Sequence, residues 1–199
     1  MKEYLNYFSK ADKSKMLKFS QKRYELFKPI SKILTQLKIT PNAVSYFGVV
    51  LLLGFSYYAV KKPLVAGIFL VLHVLIDAFD GPLAKYQKRS GNKGALTDML
   101  CDHSGLAIVT ITLIYYGLIS GTIGAAYLYV YTLLIIFTII RNNMGVPPKL
   151  AFRSKYFLYL CFIPYITNGI NILNIATLIF TLIKIPFTII SFIKIRKAL

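Results

Sequence analysis

Four of the seven acidic residues in this chain, Asp77, Asp80, Asp98 and Asp102, fall within one short and otherwise strongly apolar stretch. Asp77 and Asp80 stand at i and i+3 in LIDAFDGPLAK; Asp98 and Asp102 stand at i and i+4 in GALTDMLCDH. On helices, both spacings put the two side chains on one face. Four carboxylates sharing an apolar pocket cannot all stay ionised without an offsetting positive charge. A hard divalent cation of the Mg²⁺ or Mn²⁺ kind supplies it, held by a few carboxylates and completed by phosphate oxygens. Two such ions about 4 Å apart can clamp an in-line displacement at phosphorus. Gly81, Ala84 and Gly94 beside the acids leave room for close helix approach or for a ligand lying against the backbone. Lys85, Lys88, Arg89 and Lys93 form a basic rim suited to a pyrophosphate.

The elements that must hold these side chains are membrane helices. The 199 residues are 56% hydrophobic with a mean hydropathy of +0.60, values that point to an integral membrane protein. Six apolar segments of spanning length are predicted near 42–60, 64–86, 94–118, 121–141, 155–169 and 171–193. Residues 39–199 then form one six-helix transmembrane domain. Residues 1–38 precede it as a basic amphipathic region lying on the membrane surface, with apolar residues at roughly helical spacing between cations. Thr40 and Pro41 are a helix start signal. The fold class expected is all-α and integral to the membrane.

Charge orients the chain. Ten of the 24 lysines and arginines lie in residues 1–38, and most others cluster at 85–93, 141–155 and 194–197. The alternate connections hold only Lys61 and Lys62. By the positive-inside rule both termini and the aspartate cluster face the cytoplasm. The same distribution accounts for the net charge of +17 through anionic lipid and excludes nucleic acid as the expected partner. Cys101 and Cys161 lack metal-type or disulfide-framework spacing and read as small buried hydrophobes. The long charged N-terminus does not read as a cleavable signal peptide.

The run Asp77-x2-Asp80-Gly81-x2-Ala84-Lys85-x8-Gly94-x3-Asp98-x3-Asp102 resembles the signature of the CDP-alcohol phosphatidyltransferases, D-x2-D-G-x2-A-R-x8-G-x3-D-x3-D. Spacing is unaltered and the single departure is Lys85 in place of arginine. The resemblance implies transfer of a lipid phosphate from a CDP-linked lipid donor to a small alcohol, with release of CMP. It implies that Asp77, Asp80, Asp98 and Asp102 hold two metal ions, and that Asp102 is also the base for the acceptor hydroxyl. Asp80, Gly81, Ala84, Lys85 and Gly94 would line the donor site. A homodimer is implied by the resemblance alone. Lysine at this position offers phosphate a point charge where arginine offers a planar fork.

The basic run at 141–155 suits a phosphorylated acceptor of the glycerol phosphate or inositol phosphate type, with Arg141, Arg153 and Lys155 as candidate ligands. His103, beside Asp102, and His73, one turn before Asp77, read as structural neighbours. Pro82 is expected to kink the second span. Two rival readings are a divalent-cation transporter using the aspartates as its transport site and a non-catalytic membrane scaffold. A transporter would place acids at mid-membrane and show an internal repeat; here the acids sit near the cytoplasmic end and no repeat is visible.

Overall fold

Thr40 and Pro41 start the first long apolar helix as their types dictate. The Thr40 hydroxyl accepts from the Ala43 amide at 3.2 Å, and proline occupies the first turn, where its missing N–H costs nothing. The computed structural model describes residues 13–148 and 154–199, with side chains from 21 onward. These residues form eight helices: α1 (Lys13–Gln36), α2 (Pro41–Tyr58), α3 (Pro63–Tyr86), α4 (Asn92–Tyr115), α5 (Gly121–Asn143), α6 (Lys155–Leu160), α7 (Ile163–Asn168) and α8 (Leu173–Arg196). There is no strand among the described residues.

Four of them, α3, α4, α5 and α8, are long and apolar enough to cross a membrane, and the number rises to five if α1 and α2 count as one bent span. The bend between Gln21–Gln36 and Pro41–Tyr58 is 99°, so α1 runs across the end of the bundle. The fifth predicted span, 155–169, is in fact two six-residue helices, α6 and α7, joined through Cys161 and Phe162. Pro164 explains the break: it cannot donate to the Leu160 carbonyl, and its ring crowds the preceding turn. Gly169, at φ +68°, ends α7 in a conformation that glycine adopts without strain.

Helix α3 packs on α2 and α1, α4 packs on α2, and α5 packs on α8. Leu52 and Phe55 of α2, Leu106 and Val109 of α4 and Phe162 make the dry centre. Close approach needs Gly105: a Cβ there would lie 3.1 Å from Leu52 Cδ1 and 3.3 Å from His73 Cε1. Between membrane helices such packing and interhelical hydrogen bonds do the holding, and Ser56 of α2 bonds Thr112 of α4 at 2.7 Å. Outward-facing Leu53, Val71, Ile111 and Ile175 are more than half exposed, the surface expected of lipid contact.

Candidate metal and phosphate site

Helices α3 and α4 bring the acids together at one end. Carboxylate oxygens of Asp77, Asp98 and Asp102 lie within 4.8 Å of one another. The cluster is already served by a cation: Lys155 Nζ, at the start of α6, donates to Asp102 Oδ1 at 2.5 Å and stands 3.6 Å from Asp77 Oδ2. Lys155 is 3% exposed. Its neighbour Tyr156 donates to Asp77 Oδ2 at 2.5 Å. Three carboxylates neutralised only in part by one buried ammonium are a donor set that fits a hard divalent ion.

Asp80 lies outside that triad. It is 8% exposed and accepts from Ser45 Oγ of α2 at 2.8 Å. Together with Asp98 it borders a cavity of about 490 Å³ whose other walls include Gly81, Ala84, Arg89, Lys93 and Gly94. Thr40, Pro41 and Asn42 open α2 on this cavity, and Gly91 opens α4 on it. Two helix N-termini therefore border one space, each bringing the partial positive charge of a helix start. Arg89 and Lys93 add cationic side chains to the lining, so the cavity offers positive charge to an anion such as phosphate.

Lys85 does not border the cavity. Its Nζ donates to Gln21 Oε1 at 2.7 Å and lies 4.7 Å above the Tyr24 ring, both on α1. Helical geometry is the reason, since five residues from Asp80 turn the side chain about 140° away. Arg141, 8% exposed, spends its guanidinium on the Val146 carbonyl at 3.0 Å and on Ser191 Oγ of α8 at 3.1 Å, tying the end of α5 to α8. Arg153 lies outside the described residues. His73 Nδ1 is 2.8 Å from the Gly48 carbonyl, and His103 Nε2 is 3.0 Å from Thr132 Oγ1.

Sequence reasoning missed Ser45, Asn42 and Tyr156. Ser45 had a signal, being one helical turn after the Thr40-Pro41 start and so on the same end of α2. Tyr156 had none, because its contact with Asp77 spans 79 positions.

The family model described as CDP-alcohol phosphatidyltransferase matches residues 38–190. A CDP-diacylglycerol–inositol 3-phosphatidyltransferase of Homo sapiens is 34% identical over 79 residues, 39% of this chain and 37% of the relative. An archaetidylinositol phosphate synthase of Pyrococcus horikoshii is 31% identical over 91 residues, 45% of this chain and 48% of the relative. The matches thus span less than half the length of either relative. With the family model covering most of the sequence from the α2 start to within α8, the chain belongs to the CDP-alcohol phosphatidyltransferase family.

Proposed function

We propose that the chain transfers a lipid phosphate from a CDP-linked lipid to an inositol-type alcohol, most simply inositol phosphate, releasing CMP. The observation that carries this is the adjacency of the Asp77–Asp98–Asp102 triad to a cavity entered by two helix N-termini. Gly81, Ala84 and Gly94 leave that cavity wall open for the nucleotide, and the ends of α2 and α4 with Arg89 and Lys93 hold its diphosphate. Asp77, Asp98 and Asp102, with Asp80 at the cavity edge, would hold Mg²⁺ or Mn²⁺. When bound, that ion supplies positive charge where the phosphate oxygens gain negative charge.

Asp102 takes the proton from the acceptor hydroxyl as its oxygen bonds to the lipid-bearing phosphorus. The bond from that phosphorus to the bridging diphosphate oxygen breaks, and the electron pair leaves with CMP. Lys155, beside Asp102 at the opening of α6, meets the acceptor phosphate; Arg153, close before it in the sequence, is assigned the same role. The inositol specificity draws support from the names of both relatives. The charge distribution supports six crossings with both termini and the cavity on the cytoplasmic side, and α1 on that membrane surface.

The test is CMP release by purified protein given CDP-diacylglycerol or its ether-lipid counterpart, Mg²⁺ or Mn²⁺, and inositol, inositol phosphate or glycerol phosphate. Asp102→Asn is expected to lower the rate at least about a hundredfold, the ordinary worth of a positioned base. Release with no alcohol, or a rate indifferent to Asp102→Asn, would sink the enzyme reading. Metal flux across proteoliposomes without CMP release would favour a transporter.

A further inference from the structure

Pro82 lies inside α3, one turn after Ala78. Having no N–H, it leaves the Ala78 carbonyl without its i→i−4 donor. In a membrane helix a carbonyl deprived in this way has to find a donor elsewhere. Arg23 of α1 provides one, its Nη2 reaching the Ala78 carbonyl at 2.6 Å. A guanidinium suits the task, because it is always charged and makes a charge-assisted bond. The same helix pair is fastened on both sides of that bond. Phe27 meets Phe79 edge-on with ring centroids 4.5 Å apart, and Lys85 bonds Gln21 and covers Tyr24.

The turn so gripped is the one that carries Asp77 and Asp80, on either side of Ala78 and Phe79. A proline-loosened turn would let those carboxylates drift relative to Asp98 and Asp102, which α4 holds independently. We infer that Arg23 is a positioning residue: it supplies from α1 the hydrogen bond that Pro82 cannot make, and thereby sets where Asp77 and Asp80 stand. The surface helix is in this way wired to the aspartates through one side chain. The metal consequence rests on the proposed function above; the clamp itself does not.

Two readouts on the full chain in detergent separate the parts. Hydrogen exchange over residues 79–86 reports the turn, and Mn²⁺ binding, followed by the electron-spin signal of the free ion, reports the acids. Arg23→Ala is expected to speed exchange about tenfold and to raise the half-saturating Mn²⁺ concentration about tenfold, the worth of one charge-assisted bond. In a Pro82→Ala background a backbone N–H again reaches Ala78, so the same replacement should change each quantity less than about threefold. Arg23→Lys should recover part of the loss. If Arg23→Ala alone does not fold, rescue of folding by Pro82→Ala supports the inference equally. Equal losses in both backgrounds would overturn it, because a mere packing role does not depend on the donor at position 82. Coupled exchange without Mn²⁺ binding in any variant would leave the clamp standing and refute the metal reading instead.

Discussion

Removing the Lys155 ammonium is the most severe single change the aspartate cluster offers. Lys155→Met keeps the length and apolar body of the side chain and deletes only its charge. The deleted group sits 2.5 Å from Asp102 Oδ1 and 3.6 Å from Asp77 Oδ2, so two carboxylates lose their counter-charge at once. Breaking a buried ion pair from one side costs about 3–5 kcal/mol. The Asp77 and Asp102 side chains are 16% and 26% exposed, however. Water screens part of the remaining repulsion, which selects the lower end, about 3 kcal/mol. For a chain of this size that is a Tm loss of about 6–12 °C. The loss belongs to the metal-free protein, because a divalent ion restores the charge balance and binds the native state alone. Saturating Mg²⁺ should therefore shrink it below about 3 °C. With no tryptophan in the chain, unfolding is followed by circular dichroism or by a thiol-reactive dye reaching the buried Cys101. A loss under about 2 °C in chelator, or one of equal size with and without Mg²⁺, would refute the reasoning.

Ser45→Ala deprives the buried Asp80 carboxylate of its side-chain donor and should slow CMP release about tenfold, while Ser45→Thr keeps most of the rate; a change under twofold for the alanine variant would dismiss Ser45 from the site. Gly81→Leu should cut binding of a CDP analogue more than about tenfold without lowering Tm, since a Cβ there meets nothing within 4 Å and leucine is the better helix former. Unchanged nucleotide affinity would show that the nucleotide lies elsewhere. Arg141→Ala removes two hydrogen bonds of a buried guanidinium and should lower Tm by about 4–8 °C. Acceptor KM should move less than about threefold; a larger rise with Tm intact would return Arg141 to the acceptor site.

What could be read from the sequence alone was what depends on local periodicity. The i, i+4 spacing sets Asp98 and Asp102 side by side because helix geometry is fixed within a turn, and Thr40-Pro41 starts α2 for equally local reasons; the i, i+3 pair is divided, with Asp77 joining them from α3 while Asp80 faces Ser45. Lys85 obeys the same rule, against the donor-site role its motif position implies: the turn that places Ala84 on the Asp80 face sends the next residue away from it. The break between α6 and α7 hinged on Pro164 within a segment whose composition alone suggested one helix. The contacts of Ser45 with Asp80, Lys155 with Asp102 and Arg23 with Ala78 join positions 35, 53 and 55 apart. Each side chain declares what it needs, a donor or a counter-charge, but only the packed bundle decides which partner meets it. The carbonyl freed by Pro82 is the clearest case, since any of several N-terminal cations could have answered it.

The ammonium that bridges Asp77 and Asp102 is also a competitor on a tether. Unlike a free ion, it is not diluted, dialysed away or captured by a chelator, so its effective concentration at the carboxylates is constant. An arriving divalent ion must displace it before coordinating both acids. Occupancy of the cluster should accordingly keep its hyperbolic dependence on the divalent ion, with the half-saturating concentration raised by a constant factor that the chain itself sets. Lys155→Met would remove that factor, and the half-saturating Mn²⁺ concentration should fall below that of the unaltered protein.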